Sequence, residues 1–453
     1  MTLEIGGAAF TALVREVTDR LANFLDSQAL AQPAPPGLPP TPPPIPSRGR
    51  PMGPLLDFLD HAVEHSYNTT GPGYLAYIPG GGVPAAALAD LYSLVTNRFT
   101  GLSAPAPALV ALECDVIRWM CDAVGLPAGS FGVLTTGTSM ATLTAVAAAR
   151  HRVLGDQLQG AVTYTSAQSH HSVAKAARLA GVPTVRAIPV DSRYRLDPAA
   201  LRMAISRDRD AGLRPFLVVP TAGTTNTGAV DPLPETVAIA REHGLWVHVD
   251  AAYGGFFACV PEGRARLAGL SDADSIALDP HKGLFLPYGT GALLVRDPSA
   301  LEAAHASPAE YLPPPADGLV DFASLTGELS RDFRGLRLWL PLQLAGADAF
   351  REQLSEKLAL AADAARRVAA LPGVFMVAEP ELSLFAFRVA GGDEVNRRLL
   401  ANVNGRGRVF LSGTVLPDGF ALRCCVLSFR THADRIDLLL EDLAAALDEQ
   451  APA

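Results

Sequence analysis

Lys282 stands directly after His281 in Ser275-Ile-Ala-Leu-Asp-Pro-His-Lys-Gly-Leu-Phe-Leu-Pro-Tyr-Gly-Thr-Gly291, at the end of an apolar, strand-like run. A primary amine placed there can condense with an aldehyde if its surroundings expose the neutral form. A lysine after a buried strand also serves as a plain solvated loop residue, so this motif alone leaves both readings open. Three upstream segments bear on the choice. Leu245-Trp-Val-His-Val-Asp-Ala-Ala-Tyr-Gly254 brings an apolar run to Asp250, a carboxylate costly to bury without a cationic partner. Ser169-His-His-Ser-Val-Ala174 offers two imidazoles that can lie flat against a ring. Leu134-Thr-Thr-Gly-Thr-Ser-Met140 is a turn between a predicted strand and a predicted helix, where backbone N–H groups and hydroxyls can hold a phosphate.

A protonated pyridine nitrogen is one such cationic partner, and enzymes of pyridoxal 5'-phosphate (PLP) pair it with aspartate. Gly137-Thr138-Ser139, His170, Asp250 and His281-Lys282, in this order and at these separations, resemble the group II PLP-dependent amino-acid decarboxylases of fold type I. That family includes the aromatic-amino-acid, histidine and glutamate decarboxylases. The likeness runs from Tyr74-Leu-Ala-Tyr-Ile-Pro79 through Arg334-Gly-Leu-Arg-Leu-Trp339. It implies that Lys282 carries PLP as a Schiff base, that Asp250 pairs with the pyridine nitrogen and that His170 stacks on the ring. Gly137, Thr138, Ser139 and His281 match phosphate-side positions, and Thr225 matches a position near the ring substituents. Tyr74, Tyr77 and Ile78 align with the substrate side-chain pocket, although aromatics in such a run also serve as core.

The implied activity is decarboxylation of an L-amino acid, with an aromatic or other hydrophobic side chain, to the amine and CO2. Two departures from the family pattern bear on it. Phe322 falls where the family's mobile loop carries a catalytic tyrosine, and a phenyl ring cannot deliver a proton to Cα. Gly80-Gly81-Gly82 removes side chains that would line a pocket. Oxidative deamination to an aldehyde therefore competes, as does another reaction of the same fold such as transamination. A non-catalytic scaffold is disfavoured, because it has no need of Lys282, Asp250 and His170 together.

Length and composition fit this reading. The 453 residues, 49% hydrophobic and 18% charged, can bury a large core. A net charge of −9 without a basic stripe argues against nucleic acid as a partner. Cys114, Cys121, Cys259, Cys424 and Cys425 form no disulfide framework and read as reduced. No histidine or cysteine spacing marks a metal site. The N-terminus lacks a basic start and apolar core of a signal peptide, and glycines and prolines interrupt the long uncharged stretch 123–149, so a soluble cytoplasmic protein is expected.

The elements that must position these residues follow from periodicity. Helical spacing over 8–28 predicts an amphipathic helix, and prolines from 32 to 54 predict an extended arm. In the resembled family that segment wraps over a partner subunit, which implies a homodimer with its active site near the interface. Strand-like runs at 132–135, 161–165, 184–188, 216–220, 245–249, 275–278 and 291–295 alternate with helical segments. This predicts an α/β fold, a mainly parallel seven-stranded sheet with helices on both faces. Ligands of such sheets bind beyond the strands' carboxyl ends. After a loop over 307–330 and helices over 336–344 and 350–371, strands are expected at 374–377, 382–389, 408–412 and 421–427, with a closing helix near 435–447. The expected domains are an arm (1–83), a PLP-binding domain (84–345) and a small C-terminal α/β domain (346–453).

Overall fold

A computed structural model describes residues 3–34, 37–307 and 309–449. Pro35 and Pro36 of the proline-rich stretch, and Pro308 of the later loop, lie outside the described residues. The chain opens with two helices, α1 (Gly7–Ser27) and α2 (Met52–Glu64), and the described prolines between them form neither helix nor strand. Arg20 of α1 ties the two together through Asp57 (2.7 Å) and Asp60 of α2. Two further helices, α3 (Pro84–Thr96) and α4 (Pro107–Ala123), each begin on a proline, whose missing N–H costs nothing in a first turn.

From there strand and helix alternate. The order is β1 (Phe131–Thr135), α5 (Thr138–Leu154), β2 (Ala161–Ser166), α6 (His171–Leu179), β3 (Thr184–Ile188), α7 (Pro198–Asp210), β4 (Arg214–Val219) and α8 (Leu233–Glu242). It continues with β5 (Trp246–Asp250), α9 (Pro261–Arg266), β6 (Ser275–Leu278), α10 (Pro280–Gly283), β7 (Gly291–Val295) and α11 (Ser299–His305). The seven strands form one sheet in the order β1-β7-β6-β5-β4-β2-β3. Only β7 runs against its neighbours, so the other six present their carboxyl ends along one edge. β1, β2, β5, β6 and β7 are buried at every residue, as continuous apolar runs covered on both faces must be.

A long helical element, α12 (Gly335–Ala369), leads out of this unit; its backbone breaks at Gly346 (φ 78°, ψ 154°), so it runs as two helical segments joined at a kink, as the helical runs over 336–344 and 350–371 led one to expect. Beyond it β8 (Val374–Ala378), β9 (Leu384–Val389), α13 (Asp393–Gly405), β10 (Ser412–Leu416), β11 (Gly419–Cys425) and α14 (Ala433–Asp448) build an antiparallel sheet in the order β10-β11-β9-β8. Its core joins Phe385, Phe387 and Leu422 to Leu399, Leu439 and Leu443 of the helices. The strand expected at 408–412 starts instead at Ser412. The backbone before it is used elsewhere: Phe410 N donates to Gly73 O (2.9 Å) and Leu75 N to Phe410 O (3.0 Å), tying the chain's early segment to this sheet.

Candidate active site

The turn between β1 and α5 is set by close backbone approach. A Cβ on Gly291 of β7 would lie 2.5 Å from the Gly137 Cα, so only glycine lets the strand pass that turn. α5 therefore begins directly beside the carboxyl edge of the sheet. Its first N–H, on Thr138, donates to Asp279 Oδ1 (2.7 Å). The Thr138 hydroxyl oxygen is buried and has no hydrogen-bond partner among the described residues. The start of a 17-residue helix with an orphaned hydroxyl is suited to an anion.

β6 ends on Leu278, and the chain turns through Asp279 into the short α10, which carries His281 and Lys282. One helical turn places Lys282 Nζ 2.9 Å from Asp279 Oδ2, and His281 Nε2 is 3.5 Å from the same oxygen. The His281 Nδ1–H donates to Thr290 O (2.6 Å), which leaves Nε2 as the acceptor of a ring whose pKa burial lowers. Burial alone would push the Asp279 carboxyl up, but Lys282 and His281 outweigh it and hold it below the usual carboxylate range.

Asp250 closes β5, whose neighbour β6 puts Ala277 opposite it. Its carboxylate is buried, accepts from Ala252 N (3.2 Å), and among the described residues is in no ion pair. Burial raises its pKa, with the Lys282 charge acting in the other direction. His170 caps α6: its Nδ1 accepts from Ser172 N (3.3 Å) and meets the Ser172 hydroxyl (2.8 Å). Burial first, then the neighbouring His171 and Lys282, lowers its pKa to about 4, so the ring is neutral at neutral pH.

These groups share one cavity of about 430 Å³, within the range of small-molecule sites. Gly137, Thr138, Ser139, His170, Thr225, Asp250, His281 and Lys282 line it, with Tyr77 and Ile78 on another wall. A larger cleft of about 900 Å³ between α1, α2 and residues 66–70 holds no comparable set of titratable groups.

Comparison with known proteins agrees with this geometry. The family described as the pyridoxal-dependent decarboxylase conserved domain matches residues 46–390. An aromatic-L-amino-acid decarboxylase of Bacillus atrophaeus is 31% identical over 419 residues, covering 89% of this chain and 87% of the relative. This chain belongs to the pyridoxal-dependent decarboxylases. A 4-hydroxyphenylacetaldehyde synthase of Rhodiola rosea is 32% identical over 419 residues, covering 87% and 85% of the two chains. The solved Catharanthus roseus tryptophan decarboxylase, in complex with L-tryptophan, superposes with a TM-score of 0.92 at 27% identity, covering 99% of this chain and 100% of that one.

The decarboxylase uses PLP, and its residues fit that group. The orphaned Thr138 hydroxyl at the α5 N-terminus suits the phosphate. The buried Asp250, lacking a cation, suits a protonated ring nitrogen, and neutral His170 offers a flat face. Lys282 lies on the same cavity, with its amine held 2.9 Å from Asp279.

Two expected site residues fall outside the cavity. Tyr74 is 3% exposed and packs its ring on Phe410 (5.9 Å between centroids), because the strand-like pairing with Phe410 turns it inward. Phe322 is fully buried, stacked on Phe131 (6.5 Å) with the Arg331 guanidinium over its ring (4.8 Å). Asp321 fixes it there by accepting from Ser103 N (2.6 Å) and Ser103 Oγ (2.7 Å). Phe131 begins β1 and the cavity lies past its end, about 13 Å along the strand at about 3.3 Å per residue. Phe322 therefore does not reach Lys282 within one chain. Gly80 to Gly82 do not open the pocket either. A Cβ on Gly81 would lie 2.4 Å from the Phe285 Cα, so the glycines let this segment seat against the loop after Lys282. His248 is also no cavity residue: its Nδ1 pairs with Ser275 Oγ (2.9 Å) inside the core.

Sequence reasoning missed Asp279, Thr221 and Tyr253, which also line the cavity. Asp279 had a signal, since an acid three residues before Lys282 meets it across one helical turn.

Proposed function

We propose that this enzyme removes the carboxyl group of an L-amino acid with an aromatic or other hydrophobic side chain, releasing the amine and CO2. The observation that carries the reading is the convergence of Lys282, Asp250, His170 and the α5 N-terminus in one cavity whose far wall holds Tyr77 and Ile78. Bound PLP supplies an electron sink for the carbon that loses CO2. Asp250 keeps positive charge on the ring nitrogen, which burial makes favourable because the carboxylate gains the cation it lacks. Neutral His170 covers one face of the ring without adding a charge that would oppose it. The Thr138 and Ser139 side chains at the start of α5 would hold the phosphate end, and Asp279 keeps Lys282 at the place where its amine is needed. Tyr77, Ile78 and Tyr253 exclude water from the substrate side.

The same reading places the enzyme in the cytoplasm, in keeping with five cysteines that are all buried and unpaired in a reducing compartment. No helix among the described residues is long and apolar enough to cross a membrane. We take 84–345 as the PLP-binding domain and 346–453 as the smaller one, with 1–83 as the arm; the α12 break at Gly346 favours the second boundary. A homodimer is part of the proposal, with the uncovered apolar face of α3 as its support.

A second product is favoured by the likeness to an aldehyde synthase among the relatives. The test is to incubate purified enzyme with PLP and a panel of amino acids and measure CO2, amine, aldehyde, ammonia and peroxide together. CO2 with equimolar amine from an aromatic substrate is expected. Aldehyde with peroxide and O2 uptake would select the second product, and no CO2 from any amino acid would defeat the proposal.

A further inference from the structure

The cavity wall that carries Tyr77 is attached to the small sheet. Beyond the two bonds with Phe410, Cys425 N of β11 donates to Leu75 O (2.9 Å). Two residues on, Tyr77 adopts φ 50°, a left-handed backbone that is strained for an aromatic residue and persists only where its surroundings over-determine it. That conformation turns the ring into the open cavity, where the residue is 54% exposed. The Tyr77 N–H donates to Ser412 Oγ (3.1 Å), and Arg423 Nη1 donates to the same oxygen (2.9 Å). Ser412 on β10 and Arg423 on β11 are directly opposed across the sheet. Arg423 is buried, and its Nε and Nη2 have no partner among the described residues. Its one side-chain bond is thus spent on fixing Ser412.

The same face of β10 reaches the other side of the cavity. Thr414, two residues after Ser412, donates through Oγ1 to Asn226 Oδ1 (3.0 Å), next to Thr225. Asn226 Nδ2 in turn donates to Gln168 Oε1 (3.0 Å), in the loop that leads to His170. An edge strand of the small sheet therefore bonds to Tyr77 and to the residue next to Thr225, both of which line a cavity whose chemistry belongs to the large sheet.

We propose that Ser412, held by Arg423, is a specificity-determining positioning residue: by bonding the strained Tyr77 it sets the width of the wall that meets the substrate side chain. The inference rests on the reading of Tyr77 as substrate wall. Without the Ser412 oxygen, Tyr77 loses the side-chain acceptor of its N–H and its φ relaxes toward negative values. The ring then swings, while Asp250, His170 and Lys282 keep their places.

The test uses the full-length PLP-loaded enzyme, with CO2 release measured from L-phenylalanine, L-tyrosine, L-tryptophan and L-leucine. For Ser412→Ala, KM for the preferred aromatic substrate should rise about five- to tenfold, the loss of one hydrogen bond, while kcat stays within about twofold. The ranking of kcat/KM across the four substrates should flatten, and Ser412→Thr, which keeps the hydroxyl, should restore it. Cofactor absorbance should match wild type, while Tm should fall by a few degrees at most, because buried Arg423 loses its one side-chain partner. A Ser412→Ala enzyme with unchanged ranking, or one in which every substrate loses kcat equally, overturns the inference. Tyr77→Ala separates the two layers. If it shifts the ranking and Ser412→Ala does not, only the role of Ser412 falls; if Tyr77→Ala leaves the ranking unchanged, the reading of the wall falls and takes the inference with it.

Discussion

Around Lys282 the two aspartates are driven in opposite directions. Burial raises Asp250, which awaits a cation, while Lys282 and His281 overcome burial to keep Asp279 anionic. Asp279 is then the counter-ion of the amine that must act as a nucleophile, so its removal should expose that amine. In the cofactor-free Asp279→Asn protein, acetylation of Lys282 by acetic anhydride at pH 8, read by peptide mass spectrometry, should rise severalfold, because the ammonium loses the carboxylate that stands 2.9 Å from it. An unchanged rate would show that Asp279 serves only the α5 N-terminus. Deeper in the core, burial lowers His248 to about 3. Its folded pKa lies below the unfolded 6.5, so the unfolded chain binds the extra proton first, and stability drains away as pH falls from 6.5 towards 3. His248→Gln should therefore lose less Tm than wild type between pH 7 and pH 4.5, by about 2 °C or more in a calorimetric series. Lys282 and Asp250 stand out in the sequence at the ends of apolar runs, His170 through the resemblance of its motif, and the structure brings all three to one cavity. Asp279 is easily passed over despite its place one helical turn before Lys282, because an acid before proline reads as a helix cap.

At the scale of elements, apolar runs bounded by glycine and proline marked the seven strands of the large sheet within a few residues. A short run that is apolar at every position, rather than at alternate ones, suits a strand covered on both faces. Signals failed where tertiary contacts decided the outcome. Residues 408–411 look like a strand, but their backbone pairs with Gly73 and Leu75, a partner more than 300 residues away. Phe322 and Tyr74 are aromatic in any environment, and only the Asp321–Ser103 and Tyr74–Phe410 contacts bury them. Glycines were under-read for the same reason. Gly291 looks like an ordinary strand start, yet its missing Cβ is what admits Gly137 and hence the start of α5. Gly291→Ala should push that helix terminus off the sheet edge and weaken PLP binding by at least about tenfold, equivalent to about 1.4 kcal/mol of lost phosphate contact. Titration of the cofactor-free variant with PLP by absorbance measures this; an unchanged Kd would mean that the turn tolerates the shift.

For the whole molecule, the feature that one chain leaves unexplained is α3. Its inner face, Ala86, Ala89 and Ser93, is buried, with Ala89 in one cluster with Phe333 and Leu336 of the α12 region. Its outer face carries Leu88, Leu91, Tyr92 and Val95, spaced as one helical stripe and all exposed, with Leu94 beside them. α1 buries no residue at all, and a cleft of about 900 Å³ lies between it and α2. An apolar stripe of this kind marks an interaction site, and a second copy related by a two-fold axis is the commonest occupant. α3 begins six residues after Ile78 and its stripe ten, so a partner seated on it would meet a helix close in sequence to the cavity wall. Sedimentation at micromolar concentration should give twice the protomer mass for wild type. Leu88→Asp combined with Tyr92→Asp places two charges in the stripe without touching the buried face. That variant should sediment as a monomer with an unchanged far-UV spectrum and lose most of its CO2 release. A wild-type monomer with full activity would refute the dimer, and a monomeric variant with full activity would show that the partner copy is not needed by the cavity.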